Sequence, residues 1–428
     1  MTRNGTTIPR RRWGIALLLG IGVLVNYFDR VNLSVARDAL DAEFGISTVT
    51  FGYLASAFNW TYAALQLPMG ALLDRFGVET LGRLGALAWS AASFGAAAAP
   101  NIPFFFVMRL LLGFGEAPTF PGYSKATGYW FPRHERSLAT AMFDGAGKFG
   151  PAIGVLFVGV LTLHFGWRFS FAATGLVSLL YFFAFYRWYH DPHNDPRLSE
   201  AEREYIEKGG AHTYSQGRDN AGASLSYLLA KKKVLGIVLG FFAYNYCFYL
   251  LLYWMPSYFS SLHLTPLHSV LYTSIPWLVG TAADLLVGGW LVDVLIQRGY
   301  RDTAVRQTVL IGGTILGLAL AGAMSTRNAV FALIWISVAL GGLSAASAVG
   351  WSVPSLIAPR NSVGKVGGIL NFGNQLAGIV APIATGYLAG PQNSFGRAFA
   401  VAAAILVLGI AAYVFLLGEI EQVPEPGI

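Results

Sequence analysis

Apolar residues fill this chain in long continuous blocks separated by short polar breaks. Runs long enough for the roughly 20 helical residues that cross a bilayer recur at 13–37, 50–72, 80–99, 102–128, 136–165, 167–190, 234–262, 266–297, 304–324, 328–358, 362–390 and 395–418. Backbone in lipid has to satisfy its own hydrogen bonds, and these runs are too continuous for the alternating strands of about ten residues in an outer-membrane barrel. The pattern therefore predicts an all-α polytopic membrane protein with twelve transmembrane helices. The first run is too long for the apolar core of a cleavable signal peptide and holds no small-residue cleavage site, so it is expected to stay as span one.

One polar stretch is much longer than the others. Residues 191–233 begin "DPHNDPRLSEAEREYIEKGG", where Ser199 and Glu202 have capping-box spacing and predict a short amphipathic helix. This linker separates an N-terminal six-helix bundle over 1–190 from a C-terminal six-helix bundle over 234–428. The bundles echo each other: "GALLD" ending at Asp74 matches "GWLVD" ending at Asp293 at an offset of 219, and Asn26-Tyr27 recurs as Asn245-Tyr246 at the same offset. Pro132 in "FPR" and Pro359 in "APR" add a third echo at 227. Together they predict two parallel six-helix repeats.

Charge refines the topology. The formal net charge is +7, with Arg3, Arg10, Arg11 and Arg12 before the first span and Lys231, Lys232 and Lys233 closing the linker. The loops on the opposite side are short and nearly free of Lys and Arg, with Arg168, Arg327 and Arg397 as isolated cases near helix ends. This positive-inside pattern predicts cytoplasmic termini and a cytoplasmic linker, and it argues against a nucleic-acid partner. With 50 Gly and 19 Pro, many helices are expected to be kinked or closely packed. Cys247 is the only cysteine, which rules out a disulfide and a Cys-based metal site. All seven His lie in loops or near span ends, and neither a nucleophile-base motif nor a P-loop appears, so no enzyme, cofactor or metal is expected.

The charges enclosed by the predicted spans include Asp29, Arg30, Arg109, Glu116, Lys125, Asp144, Lys148 and Asp284. At about 2.5–3.5 kcal/mol for a charge at the helix centre, they are expected to face a polar cavity or one another. Arg109 and Glu116 are seven residues apart and share one helix face; Arg30 and Arg109 should lie at similar depth. Asp144 and Lys148 are four apart and form a possible ion pair, whereas Asp284 has no partner evident in sequence. In the second half "NYCFY" replaces "NYFDR", so Phe248 and Tyr249 stand where the first half holds Asp29 and Arg30.

The segment "GALLDRFGVETLGR" resembles the signature of the major facilitator superfamily, with Gly70, Asp74, Arg75, Gly77 and Arg83 at matching places. More narrowly, "NYFDRVNLSVA", "SAFNWTYAALQLPMGALLDRFG", "RLLLGFGEAPTFPGYSKATGYWFPRHERSLATA" and "GGILNFGNQLAGIVAP" resemble the anion:cation symporter family, which includes bacterial sugar-acid transporters and is related to sialic-acid and vesicular glutamate transporters. The resemblance implies a proton-coupled symporter of the bacterial inner membrane, acting as a monomer among membrane lipids and importing an organic anion, a sugar acid or related carboxylate. The alternatives are an exchanger or facilitator without proton coupling, or a carrier of aromatic or dicarboxylic acids.

By that resemblance Asp29 and Glu116 are the proton-carrying pair, and Arg109 is a partner for the acid or the anion. Arg30 would supply positive potential for the anion, with Asp29 beside it as a switch. Tyr62 and Gln66 match positions near the site; Tyr27, Tyr249 and Asn371 join them as candidate substrate contacts, along with Tyr244, Asn245, Trp254, Asn374 and Gln375 as hydroxyl-binding candidates. These aromatic and amide groups would equally suit an interfacial belt and helix-helix bonds. Lys148 stands where galactonate-type members carry an amide, which suggests a different or more highly charged anion. Asp74, Arg75, Arg83, Arg133, Glu135, Arg136 and Asp293 are read as gating or structural contacts at the cytoplasmic ends.

Overall fold

The computed structural model describes residues 9–132, 134–211, 223–359, 362–390 and 394–425, without the side chains of Leu67 and Ser137. Arg3 and Arg133 lie outside the described residues. The chain folds into α1 (Arg11–Val35), α2 (Arg37–Phe44), α3 (Thr48–Ala97), α4 (Ile102–Glu116), α5 (Thr119–Trp130), α6 (Arg136–Phe165), α7 (Trp167–Trp188), α8 (Glu200–Lys208) and α9 (Leu225–Leu229). The second half comprises α10 (Lys232–Ser261), α11 (Pro266–Ala283), α12 (Val292–Gln297), α13 (Asp302–Gly317), α14 (Leu320–Met324), α15 (Ala329–Ile357), α16 (Val363–Ala389) and α17 (Gly396–Ala411). π-Helical stretches at Asp284–Leu291 and Ala412–Leu417 follow α11 and α17.

Among the described residues, ten helical stretches are long and apolar enough to cross a membrane. The other two predicted spans, 50–72 and 80–99, are the two arms of the 50-residue α3. Sequence predicts a loop between them, but the helix runs through Asp74 and breaks only at Gly77, whose φ of 77° and ψ of 164° suit a residue without Cβ. Entry into the spans on the side away from the termini is set by short polar side chains. Ser47, Asn101, Thr265 and Asn328 each accept a backbone N–H in the first turn of α3, α4, α11 and α15.

The two halves are sealed on that same side. A Cβ on Gly52 would lie 2.6 Å from the Pro382 carbonyl oxygen, and one on Gly386 would lie 2.5 Å from that of Thr48, so α3 and α16 touch backbone to backbone. Phe51 packs edge-on to Trp254 at 4.9 Å, Arg37 lies over the same indole at 5.0 Å, and Ser260 donates to Asp38 at 3.0 Å. Trp254 thus closes the far side rather than lining a polar site.

Further along, Gln66 of α3 accepts from Asn371 of α16 at 2.8 Å. One turn beyond, on the same faces, are Gly70 and Gly367, and a Cβ on either would meet nothing within 4 Å. The halves therefore part beyond this contact, and the space between them opens toward the side that carries the termini.

The linker is fastened to both halves. Ser199 caps α8 as predicted, accepting from Glu202 N, but the Glu202 carboxylate does not turn back on its own helix. It is fully buried at the start of α1, accepting from Arg11 N and Arg12 N at 3.1 Å each and from Arg12 Nη1 at 2.9 Å. Arg11 pairs with Asp195 at 2.8 Å and Arg12 with Glu135 at 2.7 Å. Burial pushes the Glu135 carboxyl up, but hydrogen bonds from Arg12 and Tyr205 outweigh it and hold the group below its ordinary value. A carboxyl held low contributes stability above its unfolded pKa that is lost as pH falls through the folded one, so the clasp should loosen in acid. On the other half, Ala223 N donates to Ser362 Oγ and Lys365 Nζ to the Ala223 carbonyl, both at 2.9 Å. Glu202→Ala strands two helix N–H groups and part of Arg12, and is expected to cost about 3 kcal/mol. Glu202→Gln, which keeps an acceptor, should lose less; equal unfolding midpoints in detergent for wild type and the Ala variant would refute the cap.

Candidate functional site

Asp29 and Arg30 are neighbours in sequence but do not share a site, because consecutive helical residues point about 100° apart. Asp29 turns into the first bundle, where Ser93 of α3 and Ser178 of α7 each donate a hydrogen bond to it at 2.7 Å. Arg30 turns to the centre and grips Glu116, with Nε at 2.8 Å and Nη2 at 2.7 Å from one carboxylate oxygen. Its guanidinium is enclosed by aromatic faces at 4.5 Å (Phe58), 5.0 Å (Tyr27) and 5.5 Å (Tyr62). Arg30 is 4% exposed and Glu116 fully buried, so both charges have left water and each depends on the other.

The position of Glu116 follows from its local sequence. It ends α4 just before Ala117-Pro118, and α5 restarts at Thr119. The resulting break brings a carboxylate to the middle of the span, and Gln66 Nε2 donates to the Ala117 oxygen at 3.4 Å. Arg109, 1% exposed, lies over Phe58 at 5.8 Å, at the same level as Arg30, as the helix spacing predicted. It is 3.5 Å from the Asp29 carbonyl oxygen and 3.5 Å from the Tyr253 hydroxyl of the other half.

The second half contributes amides and hydroxyls. Asn371, bonded to Gln66, accepts from Gln375 at 3.3 Å, and Gln375 accepts from Tyr249 at 3.2 Å. Asn245 donates to Asn374 at 2.9 Å. Gln66, Asn371 and Tyr249 are thereby joined in one polar chain that crosses between the halves beside the Arg30 aromatic cage.

Asp144 and Lys148 do not form the ion pair their spacing suggested. Lys148 reaches away from its own helix to Ser347 Oγ at 2.6 Å, Tyr244 OH at 3.4 Å and Asp284 at 3.8 Å, all in the other half. Four-residue spacing makes a pair possible, but the hydroxyls of the facing bundle solvate the ammonium better. The remaining candidates lie toward the termini. Asp74 pairs with Lys125 at 2.5 Å, and Arg75 lies over Phe76 at 5.2 Å. Arg83 pairs with Glu79 at 2.5 Å. Arg136 donates to the carbonyls of Phe131, Gly128 and, in the linker, Gly210, and Asp293 is exposed on α12.

Sequence reading missed Ser93, Ser178, Tyr253 and Ser347. A hydroxyl within an Ala-rich stretch such as "AASFGAAAA" was the available signal, and nothing in it tells which Ser meets an acid. Among the described residues, no group of three or more His, Cys, Asp or Glu is placed to hold a metal ion.

The chain is similar along nearly its whole length to known transporters. The uncharacterized transporter YybO of Bacillus subtilis (strain 168) is 39% identical over 414 residues, covering 96% of this chain and 95% of that protein. The probable galactarate/D-glucarate transporter GudP of the same organism is 32% identical over 425 residues, covering 96% and 93%. A bacterial homolog of the human lysosomal transporter Spinster, solved in an inward-facing and occupied conformation, shares the fold with a TM-score of 0.78 at 17% identity, covering 96% of this chain and 97% of that one. The Major Facilitator Superfamily model matches residues 19–301. Helices, central charges and relatives agree, and the chain belongs to the Major Facilitator Superfamily of membrane transporters.

Proposed function

We propose that this transporter is a proton-coupled symporter that imports a sugar acid or related organic anion across the bacterial cytoplasmic membrane, with both termini and the linker inside. The observation that carries this reading is the buried Arg30–Glu116 pair, held at 2.7 Å beside the boundary between the halves. An anion that takes Arg30 competes with Glu116, and a carboxylate deprived of its cation in so dry a place binds a proton. Anion and proton then favour each other's binding, as linkage requires. Asp29, held by two hydroxyls and adjacent to Arg109, is the second proton carrier. The amide and hydroxyl chain from Gln66 to Tyr249 suits a polyhydroxylated substrate. Several relatives are named for sugar acids, which supports the class.

Two halves packed on one side and parted on the other support alternating access, and the location of all the proposed site residues in one chain supports action as a monomer. A dianion is the second reading within this class, favoured by the partly buried Lys148 as a cation beyond Arg30 and Arg109 at the boundary between the halves. The test is uptake of D-glucarate and D-galactonate into proteoliposomes under an inward proton gradient. Accumulation that collapses with a protonophore is expected. Uptake indifferent to the gradient would replace symport by facilitation or exchange, and no uptake of either would overturn the substrate class.

A further inference from the structure

Lys148 bridges the halves, and the acid it meets is placed in an unusual seat. Asp284 is the first residue of the π-helical stretch that follows α11, the kind of register change that recurs at functional sites. Gly280 and Gly288, four residues to either side on the same face, press against α15. A Cβ on Gly280 would come within 2.8 Å of Ser344 Oγ, and one on Gly288 within 2.6 Å of the Ala345 carbonyl oxygen. Asp284 therefore lies on a stretch of backbone packed closely against α15 on either side of it.

Its Oδ1 is buried and accepts no hydrogen bond, although Lys148 stands 3.8 Å away. The charged and titratable groups around it are Lys148 and, one turn earlier on α6, Asp144, with Tyr244 on α10; α15 offers the hydroxyl of Ser347. Lys148 is thus the cation for Asp284, at a distance where Coulomb attraction acts without a hydrogen bond.

We propose that Asp284 is a further proton acceptor of the transport cycle, in the C-terminal half: an anion that takes Lys148 displaces Asp284 from it, and the abandoned carboxylate binds a proton. The inference rests on the symport reading above and adds a coupling site to it. The charge balance is simple. The substrate carboxylate replaces the Asp284 carboxylate beside the ammonium, and one proton taken up from solution neutralises Asp284. Because Lys148 and Asp284 lie in different halves, rocking of the halves also parts them and returns the choice between anion and proton on the other side.

The experiment is calorimetric binding of D-glucarate and D-galactonate to the purified protein from pH 5.5 to 8.5. Buffers of different ionisation heat report the number of protons taken up per bound anion. Asp284→Asn is expected to take up one proton fewer than wild type for an anion that reaches Lys148, and its affinity should fall with pH about tenfold less per unit. Should that variant fail to purify as a monodisperse protein, Lys148→Gln removes the competition and is expected to lose the same proton, with weaker binding. Equal proton counts in wild type and variant overturn the role of Asp284 and leave the symport reading standing. Absence of binding by wild type at every pH overturns both.

Discussion

Arg30→Met is expected to abolish uptake and to cost about 3–5 kcal/mol of stability, and adding Glu116→Gln is expected to restore most of the stability without restoring uptake. Glu116 is fully buried, one of its oxygens has no hydrogen-bond partner, and Arg30 supplies its ion pair. Removing the cation alone strands a carboxylate inside the bundle. Neutralising both leaves an amide and a thioether of similar bulk among Phe58, Tyr27 and Tyr62, where a packed apolar environment already exists. Uptake has no such rescue, because the double variant holds neither the anion's cation nor the proton's carboxylate. Arg30→Lys should fail too, since a single ammonium cannot offer the Nε and Nη2 contacts that the guanidinium makes together. Thermal unfolding in detergent and proteoliposome uptake, run on the same preparations, separate the two effects. A double variant as unstable as Arg30→Met, or one that still accumulates anion, would show that the pair is not the coupling element.

What sequence makes legible depends on the range of the interaction. The spans follow from bilayer thickness, a local property of each run, and the predicted segments fall on helices throughout. The break at Gly77 was harder to read as a bend within one helix, because polar Asp74 and Arg75 look like a loop until the backbone shows them helical. Charges inside apolar runs were legible because lipid makes them costly, and Asp29, Arg30, Arg109 and Glu116 among them meet at the centre of the molecule.

Partner choice was not legible. Adjacent Asp29 and Arg30 invite a joint role, and four-residue spacing invites Asp144 with Lys148, yet helix geometry sends the first two apart and the facing bundle draws Lys148 away. Lys148 and Asp284, 136 residues apart, meet only because two bundles meet. The same holds for Trp254, whose ring suits a sugar site but closes the far side against Phe51.

Asp29→Asn should reduce gradient-driven accumulation at least tenfold while anion exchange between equal pools continues. Asp29 is 1% exposed and its two oxygens each accept from a serine, Ser93 on α3 and Ser178 on α7. An amide occupies nearly the same volume, retains one acceptor and turns a donor toward the other hydroxyl, which can rotate to accept it. The helix packing therefore survives, and what disappears is the ability to carry a proton. A role confined to tying α1 to α3 and α7 predicts a different result: Asn would be nearly silent, while Ser93→Ala with Ser178→Ala, which strips the carboxylate of both donors, would unfold the bundle. The proton-carrier role predicts that the serine double variant shifts the pH at which accumulation begins, because two hydroxyls that favoured the charged form are gone. Accumulation by Asp29→Asn equal to wild type would assign the acid to structure and leave Glu116 as the proton carrier beside Arg30.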